Sequence, residues 1–570
     1  MSAASPPPTG RTLQRRLPGL YRLLHYDRDW LRFDLLGGLT VGAMLIPQSM
    51  AYAELADLPP EVGFYAVLGA LVVYALLGSS RHLGVGPEPG TAILAATGIA
   101  PLAEGDPQRY LTLMAALALL VGGICLVAAL LRLGFLADLL SRPVLIGYIT
   151  GVGITLLSSQ LGKVTGVGIE GDNAFTRFAD LVSGLDQLDP ATFAMGASSL
   201  VAILTLRAIR PTIPGALVAV VAATAAAIVF GLDDHGVSVV GEIPSGLPPL
   251  GLPDVAGADL VDLIPIALGV ALVGYSDNVL TARSIGAELG YRIDANQELV
   301  ALGMGNLSSG LSGGFPISSS ASRSIVPASL GTRSQLVSIV AAGFVLTTLL
   351  VLRPVLADFP EAALGAVIIS AAIAIIDIRG LRELWSLDRA EFGLALLTVL
   401  GVVGFDVLRG VLVAVGLSAV VALGRMARPR DAVLGGAPEL DGWVAMEEFP
   451  SARPRPGLLV YRFDAPLFFA NAEWFRGRVE QALLTNPGAE RWVIFDLEGV
   501  GSIDTTALEI LDQLVEELLA AGVVVVGIAR ANSRARAALE NSRLLQPGGP
   551  LREFPTINSA VSAFSDEDEP

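Results

Sequence analysis

The chemistry in this sequence rests on a few polar side chains set in apolar surroundings. Arg323 stands in FPISSSASRS (315–324), which also supplies Ser318, Ser319, Ser320, Ser322 and Ser324. Asp277 and Thr281 stand in LVGYSDNVLTARS (272–284), four residues apart and so on one face of a helix. Gln48 follows Pro47 in LIPQSMAYAEL (45–55), and Glu88 interrupts SSRHLGVGPEPGTAI (79–93). An arginine among hydroxyls is a fixed positive site with hydrogen-bond donors around it, suited to an anion. The two carboxylates are suited to a coupling cation. Three roles are open to Asp277: a structural pair with Arg323, a Na⁺ ligand together with Thr281, or a proton carrier. Glu88 can pair with Arg323, can sit as a locally favourable acid at a helix start, or can enter protonated alongside an anion. Gln48 can satisfy carbonyls freed where Pro47 breaks its helix, or hydrogen-bond a substrate.

The elements that must position these groups are membrane helices. The chain has 570 residues, 53% hydrophobic and 16% charged, with a mean hydropathy of +0.63. Apolar runs near the ~20 residues a bilayer helix needs fall at 34–53, 64–78, 87–104, 111–132, 143–161, 191–209, 213–231, 260–280, 297–312, 316–330, 335–352, 361–378, 390–405 and 407–424. With the N-terminus inside, the cytoplasmic loops carry eleven arginines, while the outer loops hold Arg109, Lys163, Arg177, Arg353 and Arg409. That bias predicts an inner (plasma) membrane protein with both termini cytoplasmic. The net charge of −17 divides unevenly: residues 431–570 hold 22 acids against 11 arginines, leaving −6 for the first 430 residues. A nucleic-acid partner is excluded by that sign. With one cysteine, Cys125, and three dispersed histidines, no structural metal site or cofactor is expected. No nucleophile–base pair or phosphate loop points to an enzyme.

Two segments break the helical pattern, 79–93 and 313–326. In each, extended residues lead to a proline, Pro87 or Pro316, suited to a first helical turn. Extended backbone at membrane depth survives only inside protein or beside a wet cavity. The pattern predicts two half-helices entering from opposite sides, their N-termini facing one cavity. Each would offer free N–H groups and about half a positive charge, a site for an anion. Serines and glycines also serve as plain helix–helix packing. Pro87 to Pro316 and Gln48 to Asp277 are both 229 residues apart, an offset suggestive of a repeat.

At these residues the chain resembles the sulfate permease (SulP) family, which includes the animal anion exchangers and prestin. The motifs are IPQSMAYAELADLPP (46–60), YALLGSSRHLGVGP (74–87), RPVLIGYITG (142–151), ANQELVALGMGNLSSGL (295–311) and FPISSSASRS (315–324). The resemblance implies fourteen spans in a seven-plus-seven inverted repeat, an all-α membrane domain split into core and gate. It also implies a homodimer, and elevator-like transport of an anion held between the third and tenth spans. By similarity Gln48, Glu88, Pro89, Gly90, Ser320, Ser322 and Arg323 fall at substrate positions. Asp277 and Thr281 match Na⁺ positions of bicarbonate members, while proton-coupled sulfate members carry a carboxylate at the equivalent of Asp277. Glu88 departs from the uncharged residue many members have there.

After a linker at 431–456 the pattern changes to β/α alternation over 457–565, with strands at 458–463, 492–497 and 523–529 and helices at 473–484, 505–520 and 532–542. This small α/β unit resembles the STAS domain, its loop DLEGVGSIDTTALEIL (496–511) carrying the match. Asp504 can cap the helix that follows. Thr505 and Thr506 fall where related bacterial proteins carry a phosphorylatable serine, which makes Thr506 a candidate regulatory residue. Residues 566–570 read as a solvated, disordered acidic tail. The expectation is a proton-coupled sulfate symporter; the alternatives are a Na⁺-coupled bicarbonate or dicarboxylate transporter, and a non-transporting membrane sensor signalling through its STAS domain.

Overall fold

A computed structural model describes residues 16–135, 141–169, 171, 173–210, 213–232, 236–241, 246–404, 413, 416–417, 420–421, 423–437, 440, 442–485 and 490–568. The chain divides into two compact units, Met1–Ser418 and Ala419–Pro570.

The first unit opens with α1 (Pro18–Leu24) and continues through α2 (Leu31–Leu55), α3 (Pro60–Leu77), strand β1 (Gly84–Gly86), α4 (Pro89–Ala103), α5 (Pro107–Leu130) and α6 (Arg142–Ser159). Next come α7 (Leu161–Thr165), α8 (Ala174–Ser183), α9 (Pro190–Ile209), α10 (Gly215–Phe230), α11 (Gly257–Glu288) and α12 (Ala295–Leu311). Strand β2 (Ser318–Ser320) then leads to α13 (Ala321–Ser329), α14 (Leu336–Val351), α15 (Arg353–Ala357), α16 (Glu361–Ile375), α17 (Ile378–Leu387) and α18 (Arg389–Gly404). Helices lie on the first thirteen expected spans; most of 407–424 lies outside the described residues. Among the described residues, seven helices are both long and apolar enough to cross a membrane.

Several starts repeat one local device, an acid followed closely by proline. Asp106 accepts from the N–H groups of Gln108 and Arg109 with Pro107 at the first position, and Asp189 accepts from Thr192 behind Pro190. The acid satisfies orphan donors while proline supplies the helical φ. Pro47 does not break α2 as the sequence suggests: the helix runs unbroken from Leu31 to Leu55. Surrounding helices bury Pro47 and its neighbours, so packing holds the axis through the missing hydrogen bond.

The helices form two bundles. In one, α12 lies along α5 and α3, and α14 along α2 and α3, with α4, α11 and α13 joined to them. In the other, α6 packs against α18 and α16, and α9 against α16 and α10. Close approach inside the first bundle depends on glycine: a Cβ on Gly122 would lie 2.7 Å from the Gly303 carbonyl.

The second unit is a six-stranded sheet ordered β4-β3-β5-β6-β7-β8, with β3 Asp431–Ala437, β4 Gly442–Ala445, β5 Leu458–Phe463, β6 Trp492–Asp496, β7 Val525–Ala529 and β8 Leu551–Phe554. Strands β5 to β8 are parallel, and α19 (Ala472–Thr485), α20 (Thr505–Ala520) and α21 (Ser533–Glu540) fall where alternation placed helices. The stretch expected as a linker instead forms a hairpin, β3–β4, on the sheet edge. Its glycines and scattered apolar residues lack the run of branched side chains that marks a buried strand. The acidic tail also departs from expectation, because α22 runs from Ile557 to Asp568. Ile557, Ala560 and Phe564 are buried, Phe564 edge-on to Trp492, and Arg552 pairs with Glu567 at 2.8 Å. An apolar stripe on the N-terminal part of α22 thus carries the acids along as helix. In this domain burial, with the Asp431 carboxylate to which it donates, pushes the Tyr461 hydroxyl well up.

Candidate functional site: two opposed half-helices

The two broken segments meet. Strands β1 and β2 pair antiparallel, with Gly84 opposite Ser320, Val85 opposite Ser319 and Gly86 opposite Ser318. In an apolar interior each strand satisfies the other's backbone groups. A Cβ on Gly84 would lie 2.9 Å from Cβ of Arg323, so glycine is what lets the strands close over that residue. Pro87 and Pro316 do not open the helices, however. The strand pair delays both turns, so α4 begins at Pro89 and α13 at Ala321. Those starts are 232 residues apart, and the offset of 229 does not carry through the half-helices.

The two starts differ. At α4, Glu88 is the cap and its Oε2 accepts the Thr91 N–H at 3.0 Å. At α13 the cap is Ser320, and its side chain makes no capping bond. Arg323, in the first turn of α13, is 1% exposed. Its Nη1 donates to Gln48 Oε1 at 3.2 Å and its Nη2 to the Pro87 carbonyl at 2.9 Å; Nε is buried without a partner. Among the described residues it makes no ion pair with Asp277 or Glu88. The structural pairing considered for each carboxylate is therefore absent, and Arg323 ties α2 to the turn before α4 instead.

Asp277 Oδ2 accepts the Ser319 hydroxyl at 3.0 Å. Thr281 lies one turn along α11, half-buried. Ser318 donates to the Gly274 carbonyl and Ser324 to that of Ser320, at 3.0 and 2.7 Å, so much of the serine run holds backbone together. Gln48, Pro89 and Gly90 are buried at the same centre. Ser322 lies on α13, and its side chain lies outside the described residues.

Two buried groups escaped the sequence reading. Tyr148, on α6, is 7% exposed and its hydroxyl has no hydrogen-bond partner, an arrangement that costs about 1–3 kcal/mol. Glu298, on α12, is fully buried and accepts from Tyr74 Oη at 2.8 Å, Ser79 Oγ at 2.7 Å and Asn278 Nδ2 at 3.2 Å. Its partners come from two segments, 74–80 and Asn278, and no local pattern reveals the convergence.

Two cavities flank the centre along α2. One of about 290 Å³ is lined by Met44, Gln48, Tyr52, Arg207, Ile325 and Ser370. The other, of about 750 Å³, is lined by Glu54, Asp57, Thr97, Gln160, Lys163 and Arg177, and there the only lysine of the chain pairs with Glu54 at 2.6 Å. Both lie where helices of the two bundles face each other.

In the second unit, the Asp504 carboxylate caps α20 through the Ala507 N–H at 2.8 Å. Thr505 and Thr506 are exposed beside it. Asp496, at the end of β6, is fully buried and held by Arg462 at 2.8 Å and by Arg530.

Residues 31–398 match the model of the sulfate permease family, and residues 449–560 match that of the STAS domain. A probable sulfate transporter of Mycobacterium tuberculosis is 45% identical over 547 residues, covering 96% of this chain and 98% of its own. Sulfate transporter 4.1, chloroplastic, of Arabidopsis thaliana is 30% identical, covering 94% and 80%. The solved structure of murine solute carrier 26 family member A9, an anion transporter in the inward-facing state, superposes with a TM-score of 0.90 at 25% identity, covering 100% of this chain and 96% of that one. The transmembrane domain of the cyanobacterial bicarbonate transporter BicA shares the fold, with a TM-score of 0.61 at 23% identity over 69% of this chain and 98% of that one. Family match, helical membrane unit and terminal α/β unit agree: the chain belongs to the sulfate permease family of membrane anion transporters and ends in a STAS domain.

Proposed function

We propose that this transporter imports sulfate, or a similarly small oxyanion, together with a proton. The carrying observation is the start of α13, where Arg323 and the end of β2 face the Glu88 turn across one buried centre. Free N–H groups and a fixed guanidinium bind an oxyanion without many cationic side chains. Gln48, Pro89, Gly90, Ser320 and Ser322 line the site in this reading. Asp277 and Glu88 are its proton carriers. When Glu88 is protonated it loosens its hold on the Thr91 N–H, and that donor becomes available to substrate.

The cavities on either side of Gln48 support alternating access by one bundle sliding against the other, an elevator motion. In this proposal both termini face the cytoplasm across the plasma membrane, and the working unit is a homodimer. The STAS domain is regulatory, with Thr506 as its candidate phosphorylation point.

Labelled sulfate uptake into proteoliposomes tests the reading: an inward proton gradient raises the initial rate, and collapsing it removes the gain. No uptake of sulfate, bicarbonate or dicarboxylate under any gradient overturns it. Asp277 and Thr281 share a face of α11, and among the described residues Asp277 has no cationic side chain as a partner, which favours one competing reading, Na⁺-coupled bicarbonate uptake. That reading requires flux to vanish when choline replaces Na⁺. A pure sensor requires Arg323→Ala to be silent while Thr506 variants change the phenotype.

A further inference from the structure

Resting on that anion-site reading, we propose that the Tyr148 hydroxyl is a direct hydrogen-bond donor to the transported anion, supplied by the second bundle. Every other group assigned to the site belongs to α2, α4, α11, β2 or α13, which pack together. Tyr148 belongs to α6, which packs against α16 and α18.

The hydroxyl lies against Gly90. A Cβ at Gly90 would lie 3.1 Å from Tyr148 Oη and 3.0 Å from Glu88 Oε2. The two oxygens therefore crowd Gly90 at the α4 start, and a side chain there would press on both. No hydrogen bond joins Tyr148 to Glu88, and the hydroxyl finds no other partner although the residue is 7% exposed. A buried phenol normally has a partner. What would satisfy this hydroxyl is an acceptor: an oxygen of a bound oxyanion, accepting the hydrogen bond of the phenol and lying beside the first turn of α4. An anion so placed touches both bundles at once, which makes the hydroxyl a contact that a sliding motion makes and breaks.

Tyr148→Phe removes this oxygen and nothing else. The full-length variant in proteoliposomes should raise the sulfate concentration for half-maximal uptake about tenfold, with the maximal rate within about twofold. In detergent without anion its melting temperature should equal or exceed that of the wild type, since an unsatisfied hydroxyl is gone; the added stability conferred by sulfate should shrink. Gly90→Ala, which presses a methyl on the Tyr148 and Glu88 oxygens, should weaken sulfate in the same direction. Half-saturation within about twofold of wild type in Tyr148→Phe overturns the proposal, as does an anion-free melting loss with sulfate stabilisation intact. Should Tyr148→Phe fail to fold, wild-type affinity in Gly90→Ala overturns it alone. Running sulfate, bicarbonate and oxalate in parallel separates the layers: no binding to the wild type by any of them removes the anion-site reading itself, whereas equal binding by wild type and variant removes only the role of Tyr148.

Discussion

The starts of α4 and α13 are two versions of one device, and they differ in a single respect. Both follow a short strand, both begin deep in the first unit, and each strand pairs with the other. At α4 the protein's own carboxylate, Glu88, accepts the first-turn Thr91 N–H; at α13 the cap is the uncharged Ser320, and Arg323 stands in the first turn. A helix start attracts one negative charge well, and two compete for it. The contrast therefore has the transported anion share the α4 start with a permanent carboxylate and meet no such competitor at the α13 start. It also explains how an acidic protein handles anions: most of the net charge of −17 belongs to residues 431–570, while Arg323 stands buried at the α13 start.

The largest effect should come from removing the fixed charge at the open start. Arg323→Ala deletes two charge-assisted hydrogen bonds, to Gln48 and Pro87, worth about 1.5–3 kcal/mol each. Sulfate uptake should fall about a hundredfold or more, and Arg323→Lys should recover little, since one ammonium cannot reproduce the forked geometry. Uptake above a tenth of wild type in Arg323→Ala, with the variant monodisperse and correctly inserted, would break the assignment of α13 as the anion end.

Making the two starts alike is the second test. Ser320→Asp installs at α13 the kind of acidic cap that α4 already has. An acid in a partly buried helix start is worth up to ~2 kcal/mol, so the substrate should bind about tenfold to thirtyfold more weakly. The converse change, Glu88→Gln, keeps an oxygen for the Thr91 N–H and removes the charge. It should tighten sulfate about tenfold at neutral pH and flatten the dependence of uptake on the proton gradient. Retention of full gradient dependence in Glu88→Gln would move proton carriage to Asp277 alone and leave Glu88 a structural cap.

The sequence already showed which residues converge, but not how they are held. Gln48, Glu88, Asp277 and Arg323 stood out because polar groups in apolar runs are rare, and the structure brings all four to one centre. The half-helix starts were misplaced by a few residues because proline at a first turn is a local rule, whereas Gly84–Gly86 and Ser318–Ser320 pair across 232 to 236 positions. Tyr148 sits in an ordinary apolar motif, and only its missing partner marks it. The hairpin β3–β4 and the helical end of the acidic tail were hidden for the same reason, since what orders them is contact with strands distant in sequence.

The smallest effect comes from the same capping chemistry in the α/β unit, and it calibrates the others. At α20 Asp504 caps the start much as Glu88 caps α4, but no anion is expected to compete there. Asp504→Ala should cost about 1 kcal/mol, read as a shift of the denaturation midpoint of the full chain, with sulfate affinity unchanged. Thr506→Ala, exposed and outside the capping bond, should shift it by less than about 0.5 kcal/mol. If Asp504→Ala altered sulfate affinity as strongly as Ser320→Asp does, the effect at α13 could not be ascribed to competition for a helix start, and the contrast between the two half-helices would lose its electrostatic meaning. If it alters stability alone, the acid at a helix start is a structural device wherever no anion must be bound, and its absence at α13 is the feature that turns structure into a binding site.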